Sequence, residues 1–524
     1  MRERRRRLTL LAVALQLSLL AAACRQPTSF GTTAPTAVPT PVLTSVPAAT
    51  ATPDTAPRDI VIIHTSDEHG YLEPIESGSV AKGGATLVSA LWASRGYDPL
   101  APDSNVLLLS SGDNWTGPAI STWFKGESAV EAMTAMGYRA SVPGNHEFDF
   151  GLDVLDARLR QAKFPYLAAN VLDTNTGQQS GRFEPYTIVE VNGIRVGVIG
   201  LALRSTANST AAKNVEGLRF GDYEPALREW VPQARQAGAQ VLVVQAHACA
   251  EELLPLAAAV QDLDIALIEG GHCHVAMADR AGKTLVAAAS SAWQDYVLTR
   301  LVIDPQSGTV LDADQKLVDV NAPTSKSLPT APLAVQKVVT RWHERAQTAL
   351  GEVIGYTKTG VGQHSPEMHN LLVDSWLWAY PNAQIAISNT GGFRASLNSG
   401  EITLGEMVGV LPFDNELLEI EATGSQIVQA LASAPDALVI GGAMMRGNRL
   451  IMADGREAEA NATYRLLITD YLYDNVKYPF ARFDQQPYET SINWRQPVID
   501  WIQAQRSSRE QPLEQLLDPM ERIR

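Results

Sequence analysis

Seven polar side chains lie in short motifs whose residue types suit a metal centre. They are Asp67 and His69 in Asp-Glu-His-Gly, Asp113 in Gly-Asp-Asn, Asn145 in Gly-Asn-His-Glu, the isolated His247, and His272 and His274 in Gly-His-Cys-His. Imidazole mixed with carboxylate and amide oxygens suits Zn, Mn, Fe or a similar ion, and no thiolate is needed. Seven donors are too many for one open catalytic ion but suit two. The pattern therefore predicts two divalent cations, which together with a bridging hydroxide would act on a phosphoryl group.

Four of these five motifs follow a stretch that predicts a buried strand. The apolar, β-branched runs are residues 60–64, 106–110, 239–245 and 265–268. In α/β folds, ligand sites gather beyond the carboxyl ends of strands. We therefore expect all five motifs to lie close together, beyond the carboxyl ends of the strands.

The remaining pattern predicts a layered α/β chain in two parts. The Asn192-Gly193 pair between 186–191 and 194–199 predicts a β-hairpin with a type I′ turn. A segment rich in Pro, Thr, Ser and Lys at 320–330 predicts a boundary, followed by a helix at 332–350. Helices are also predicted at 226–237 in the first part and at 368–379, 404–410, 425–434 and 498–505 in the second, which has a predicted strand at 384–388.

Size and charge exclude several classes of protein. With 524 residues, the chain is too long for one ordinary core and suggests two domains. It has 42 basic and 57 acidic residues, a formal net charge of −15, which argues against a nucleic-acid-binding surface. Charged residues make up 19% of the chain and hydrophobic residues 45%, which is typical of a folded soluble protein.

The N-terminus predicts export and a tether. An arginine-rich start, an apolar run over 8–23 and small residues before Cys24 indicate a signal peptide over 1–23. Ala21-Ala22-Ala23-Cys24 resembles a lipoprotein cleavage box, so we expect a lipidated Cys24 that holds the protein on the extracytoplasmic face of the cell membrane. An uncleaved anchor or plain secretion is the alternative, and the Sec and twin-arginine routes are both open. The Pro, Thr and Ala of 24–57 predict an extended stalk.

The series of motifs resembles the calcineurin-like metallophosphoesterase superfamily, and residues 58–490 resemble its exported 5′-nucleotidase family, which includes UDP-sugar hydrolases and ecto-5′-nucleotidases. This resemblance implies a four-layer αββα metallophosphoesterase domain over 58–325 and a linker helix over 326–350. It also implies a mixed α/β substrate-binding domain over 351–524.

The resemblance also implies roles for the motif residues. Asp67, His69 and His274 would hold the first metal, Asn145, His247 and His272 the second, and Asp113 would bridge the two. His146 would stabilise the transition state and assist the leaving oxygen. Asp149 would orient that imidazole.

In the second part, the resemblance implies a substrate pocket. Asn389 and Gly392 would contact the substrate, Arg394 would bind its phosphate as a planar fork, and Phe413 would stack on the base. A second stacking ring is expected from Tyr478, or else from Phe480. The chain departs from the family here, because residues 469–480 lack the family's glycine-rich loop. His364 also lies where relatives carry a phosphate-binding Arg, and His369 replaces a Gly.

Other cysteines and histidines are expected to be structural. We predict that Cys249 and Cys273 are small buried residues that pack in the protein interior, with a disulfide or metal ligation as alternatives. His64 is expected to be structural, and His343 to be a solvated residue on the linker helix.

The leading functional hypothesis is a lipid-anchored, metal-dependent phosphohydrolase that releases nucleoside and phosphate from nucleotides. UDP-sugar pyrophosphatase and 2′,3′-cyclic nucleotide phosphodiesterase activities are alternatives on the same site. A surface binding protein without turnover is a third reading. The native ions, the preferred base and the oligomeric state are left open.

Overall fold

The computed structural model describes residues 55–101, 103–324 and 329–523. The predicted signal peptide, Cys24 and all but the last three residues of the predicted stalk therefore lie outside the described residues. Within the described ranges, no helix has both the length and the apolar character needed to cross a membrane.

Two β-sheets form the centre of the N-terminal half. The first sheet has the strand order Val310–Asp319, Asp295–Ile303, Arg58–Thr65, Val106–Ser110, Ala140–Ser141. The second has the order Met277–Ala281, Thr284–Ala288, Leu267–Gly270, Val241–Ala246, Ile194–Leu201, Tyr186–Val191. Parallel pairing places Ile62 beside Leu107 and Val243 beside Leu267. Within each sheet, the carboxyl ends of these parallel strands therefore lie at the same edge.

Helices cover the outer face of each sheet. In this half they are Ala85–Ser94, Ala119–Thr122, Glu127–Met136, Gly151–Gln161, Tyr223–Gln236, Ala250–Ala259 and Leu333–Leu350. Ile62, Leu107 and Val243 belong to an apolar core between the sheets. Leu87 and Met133 pack on the outside of the first sheet, and helical residues such as Leu227 on the outside of the second. The predicted four-layer αββα arrangement is confirmed.

Short strands complete the N-terminal half. Ile75–Ser77, Val80–Lys82 and Asn321–Pro323 form a small sheet, and Val171–Asp173 pairs with Leu218–Phe220. The predicted hairpin is present as Tyr186–Val191 and Ile194–Leu201. Asn192 and Gly193 have φ values of 49° and 76°, as a type I′ turn requires.

The C-terminal half is a mixed α/β domain. Its main sheet has the order Leu438–Gly441, Ile385–Asn389, Thr463–Thr469, Glu416–Thr423, Tyr488–Asn493. Two strand pairs flank it: Val353–Thr357 with Gly400–Thr403, and Ala443–Arg446 with Arg449–Met452. The helices are Pro366–Ala379, Leu404–Val410, Gly424–Ser433, Asp470–Asp474, Phe480–Phe483 and Gln496–Gln505. The strand Ile385–Asn389 is parallel to Thr463–Thr469, so Asn389 lies at a carboxyl end.

The helix between the halves packs on the N-terminal one. It begins at Leu333, after Pro332, and its Trp342 is buried in the core outside the first sheet. The indole Nε1 of Trp342 donates to Glu131 Oε2 at 2.9 Å. This helix ends at Leu350.

Candidate dinuclear metal centre and substrate cleft

The motif loops that follow these strands meet and form two groups of donors. The first group is Asp67, His69 and His274, and the second is Asp113, His247 and His272; in each, the potential ligand atoms lie within 4.8 Å of one another. The sequence prediction that these loops converge is confirmed.

The first group has the spacing of donors around one ion. His69 Nε2 lies 3.1 Å from His274 Nε2 and 3.9 Å from Asp67 Oδ1. His274 Nε2 is 3.4 Å from the same Asp67 oxygen. Two imidazole nitrogens and a carboxylate oxygen therefore face one point.

The second group lies beside it and includes the residue expected to bridge. His247 Nε2 is 3.1 Å from Asp113 Oδ2, and the rings of His247 and His272 have centroids 5.0 Å apart. Asn145 lines the same cavity as Asp113 and His272. The structure thus brings together all seven residues that were predicted as ligands.

Unpartnered buried atoms test whether these residues fit a pair of cations. Asp67 Oδ1, Asn145 Oδ1, His247 Nε2 and His272 Nδ1 are buried and make no hydrogen bond within the described part of the chain. Buried polar atoms are normally paired, so each of these needs a partner. Nitrogen and oxygen donors without thiolates are the set that Zn, Mn or a similar divalent ion takes. The residues therefore fit two divalent cations.

The backbone at several ligand candidates is held in an uncommon conformation. Five of the ligand candidates have positive φ: Asp67 at 52°, His69 at 47°, Asp113 at 56°, His272 at 70° and His274 at 55°. Non-glycine residues adopt this left-handed region at a cost, and such strain concentrates at functional sites.

Hydrogen bonds orient two of the imidazoles from behind. His69 Nδ1 donates to the carbonyl oxygen of Thr116 at 2.8 Å, and His247 Nδ1 to that of Ser111 at 2.7 Å. These bonds fix the tautomer and leave each Nε2 free for an ion.

Two buried glutamates that sequence reasoning missed brace the ligand loops. Glu147 accepts hydrogen bonds from the backbone of Asp113 at 2.9 Å, Asn114 at 2.7 Å and Gly144 at 2.7 Å. Glu68 accepts from the Asn114 side chain at 2.6 Å. Burial raises the pKa of Glu68 to about 7, and burial with the nearby Asp113 carboxylate raises that of Glu147 to about 8. The signal that could have identified these two glutamates is their position in the sequence, within the same short motifs as the predicted ligands.

His146 and Asp149 form a pair beside the second group. His146 Nδ1 donates to Asp149 Oδ2 at 2.7 Å, and its Nε2 lies 3.9 Å from Asp113 Oδ2. The hydroxyls of Thr116 and Thr210 donate to Asp149 at 2.7 and 3.1 Å. Burial alone would lower the pKa of His146, but the carboxylates of Asp149 and Asp113 outweigh it and raise that pKa.

The prediction for the two cysteines was wrong. Cys249 and Cys273 form a disulfide, with Cα atoms 5.1 Å apart, and are not separate buried residues. The strands Val241–Ala246 and Leu267–Gly270 lie side by side, so the residues just after them are neighbours. A sequence separation of 24 residues does not reveal that juxtaposition.

One cavity of about 450 Å³ joins the donors to the C-terminal half. Its lining includes the predicted substrate residues Asn389, Gly392, Arg394 and Phe413. The ring of Phe413 stacks on His146, and the Arg394 guanidinium lies 6.0 Å from the centroid of the same ring. The structure therefore places these four residues across the cavity from the two donor groups.

The structure does not place the second predicted aromatic residue in this cavity. Tyr478 is absent from the described residues that line the cavity, and it packs against the apolar core of the C-terminal half. Phe480 is fully buried in that core. Tyr471, which lies in a short helix seven residues earlier, lines the cavity instead. Without the family's glycines, the sequence offered no signal that distinguished Tyr471 from Tyr478.

His64, His364 and His369 each lie in a different setting. His364 lines a second cavity of about 370 Å³ together with His274 and Arg394. His369 packs against Phe393, with ring centroids 5.0 Å apart. His64 is buried, and its Nε2 donates to the carbonyl oxygen of Gly270 at 2.9 Å, as expected of a structural residue.

His343 lies on the exposed side of the linker helix. Its Nδ1 is 2.9 Å from Glu73 Oε1, and about half of its side chain is exposed. The expectation of a solvated residue is thus met, with one acidic neighbour added.

Two known families match the chain. Residues 60–276 match the family described as calcineurin-like phosphoesterase, and residues 351–481 match the 5′-nucleotidase C-terminal domain. The second match begins at Gly351, where the linker helix ends.

Curated relatives match along most of the chain. A snake venom 5′-nucleotidase of Gloydius brevicauda is 26% identical over 412 residues, which are 71% of this chain and 69% of the relative. A 5′-nucleotidase of Vibrio cholerae is 25% identical over 481 residues, which are 79% and 84% of the two chains.

Solved structures share the fold. A 5′-nucleotidase precursor of Thermus thermophilus has a TM-score of 0.75 at 24% identity, covering 89% of this chain and 99% of its own. The sulfate thiohydrolase SoxB of Thermus thermophilus has a TM-score of 0.69 at 19% identity, covering 89% and 96%. Because proteins with different printed activities share this fold, the reaction must be argued from the site.

Proposed function

Because this chain belongs to the calcineurin-like phosphoesterases that carry a 5′-nucleotidase C-terminal domain, we propose that it is an exported, metal-dependent hydrolase that cleaves the phosphate ester of nucleotides. Residues 58–325 would carry the chemistry and residues 351–524 would bind the nucleotide. The products would be a nucleoside and inorganic phosphate.

One observation carries this proposal: a single cavity is lined both by metal-ligand candidates and by a cation and an aromatic ring from the other half. Asp113, His272 and His274 line one side, and Arg394 and Phe413 line the other. A guanidinium binds phosphate as a fork, and an aromatic ring stacks on any base. A nucleotide that spans the cavity would thus place its phosphate beside the ligands.

The seven ligand candidates would hold two divalent ions, with Asp113 shared. When bound, such ions neutralise phosphoryl charge and make water acidic enough to act as a nucleophile at neutral pH. The chain's own contribution is orientation and proton handling. Asp149 holds the Nδ1 proton of His146 and thereby aims Nε2 into the cavity, where it would donate to a phosphoryl or leaving oxygen.

Arg394 and the backbone near it would fix the other end of the phosphate. Gly392 has no side chain, and a Cβ there would approach Trp494 to 2.8 Å, so glycine also fits the packing behind the loop. Asn389 Oδ1 is a buried atom without a hydrogen bond among the described residues. This oxygen would accept a hydrogen bond from the substrate.

Substrate entry would require the two halves to separate. One face of the Phe413 ring stacks on His146, so a base cannot bind between these two rings until Phe413 moves away from His146. Across the cleft, Lys213 Nζ contacts Asp470 Oδ2 at 2.9 Å, and the Asn475 side chain donates to the carbonyl oxygen of Asn208 at 3.0 Å. These few polar contacts are weak enough to break in each cycle.

Export and a lipid anchor are part of the same proposal. They depend on the basic head, the apolar run and Cys24, all outside the described residues. A hydrolase held outside the cell would scavenge nucleotides there.

A substrate panel tests the proposed activity. The purified full chain would be supplied with Mn²⁺ or Zn²⁺ and offered AMP, UDP-glucose or 2′,3′-cyclic AMP, with EDTA as the negative control. We expect phosphate release from AMP that EDTA abolishes. Cleavage of UDP-glucose or the cyclic nucleotide alone would instead support a pyrophosphatase or a cyclic phosphodiesterase. No cleavage of any of them with metal present would favour a binding protein.

A further inference from the structure

The disulfide joins the loops that carry three of the seven ligand candidates. Cys249 lies two residues after His247, and Cys273 lies between His272 and His274. The bond therefore links a ligand of the second group covalently to a segment that serves both groups. No part of the proposed chemistry uses these two sulfur atoms.

The segment on the Cys273 side is strained and has few other restraints. His272 and His274, on either side of Cys273, have φ values of 70° and 55°. The backbone N–H of His272 donates to Asp67 Oδ2 at 2.9 Å, and that of Gly271 to the Ala248 carbonyl oxygen at 3.0 Å. The His274 side chain is 38% exposed. Left-handed non-glycine residues persist where the surrounding structure over-determines them.

We propose that the Cys249–Cys273 bond is a positioning crosslink for the metal centre, which holds His247, His272 and His274 in ligating geometry. The inference rests on the proposed metal centre. Opening the crosslink would let the 272–274 segment relax towards ordinary backbone angles and carry two imidazoles away from their partners. Loss of a group that orients metal ligands typically weakens metal binding by about 10- to 100-fold.

The bond is open to a reductant on one side. Cys273 is exposed, whereas Cys249 is buried. A thiolate of a small dithiol would attack the Cys273 sulfur and release Cys249, which takes up a proton. The second thiol of the reagent would then displace Cys273, so that the reagent leaves as a cyclic disulfide and the protein gains two electrons and two protons.

The test measures Mn²⁺ affinity, because a hard ion has little preference for the freed thiols. The full chain with Cys24→Ala has only these two cysteines, and a C249A/C273A variant of it has none. Free Mn²⁺ would be followed by its electron paramagnetic resonance signal, before and after treatment with dithiothreitol and removal of the reagent.

We expect the crosslinked protein to bind two Mn²⁺ per chain, and C249A/C273A to bind them about tenfold more weakly or worse. Reduction should weaken the crosslinked protein equally and leave C249A/C273A unchanged. Equal affinity in crosslinked, reduced and C249A/C273A protein would overturn the proposal. If the crosslinked protein itself bound no Mn²⁺, the metal centre would fail instead.

Two safeguards keep the result decisive. Circular dichroism would show whether C249A/C273A folds. If it does not fold, the Mn²⁺ affinities of the crosslinked and the reduced protein test the proposal. A thiol assay would show whether two thiols appear on reduction. If they do not appear, the Mn²⁺ affinities of the crosslinked protein and of C249A/C273A test the proposal.

Discussion

The ring of Phe413, from the C-terminal half, stacks on the imidazole of His146, from the N-terminal half, with centroids 5.6 Å apart and planes inclined by 19°. The residue proposed to bind the base thus covers the residue proposed to handle the proton. Substrate and Phe413 must therefore exchange places or share the space over His146.

Replacing Phe413 by Ala should weaken nucleotide binding more than turnover. Aromatic stacking on a base contributes about 1–3 kcal/mol, so the KM for AMP should rise roughly 5- to 150-fold. Ribose 5-phosphate, a phosphate ester without any aromatic ring, serves as the control and should lose no affinity. A Phe413→Tyr variant should behave like the wild type. An unchanged KM for AMP in F413A would remove Phe413 from the pocket.

His146→Ala should lose turnover but keep metal. General acid–base groups typically contribute about 10²- to 10⁴-fold to rate. Because the Nε2 of His146 lies 3.9 Å from Asp113 and the residue belongs to neither ligand group, metal content should stay at the wild-type value. Asp149→Asn should show a smaller loss of kcat. Undiminished kcat in H146A would rule out its assigned role.

Arg394→Ala should raise the KM for AMP, since the planar fork would be lost. Arg394→Lys keeps the charge but not the two-pronged geometry, so it should recover only part of the affinity. Steady-state kinetics on AMP and on p-nitrophenyl phosphate should show the defect with both, because both carry the phosphate. A defect confined to AMP would place Arg394 at the nucleoside instead.

The strands and the ligand loops were predictable because their signals are local. Residues 106–109 are all valine or leucine, and the strand Val106–Ser110 has the predicted bounds. The place of Tyr471 was not predictable, because it depends on how a short helix packs after Thr463–Thr469. The disulfide depended on the lateral order of two strands, which periodicity alone does not determine.

Glu514 should make stability depend on pH. Its carboxylate accepts from the Thr357 hydroxyl at 2.8 Å and the backbone N–H of Thr359 at 2.9 Å. Burial alone would raise the pKa of Glu514, but these hydrogen bonds lower it below its ordinary value of 4.5. A lowered pKa in the folded state adds stability above the unfolded-state pKa and loses it as the pH falls through the folded one.

Glu514→Gln should therefore lower the free energy of unfolding at neutral pH and differ less from the wild type in acid. Urea unfolding of both proteins between about pH 3 and 7 would measure this difference. A gap that stays constant over the whole series would show that the charge of Glu514 contributes nothing.

The metal content of the purified chain tests the central claim most directly. After exposure to Mn²⁺ or Zn²⁺ and removal of free ions, elemental analysis should find two ions per wild-type chain. Asp113→Ala removes the shared carboxylate and should lower that number. Two ions in the wild type and fewer in D113A are the predicted result, and trace metal in the wild type after every ion offered would contradict the account.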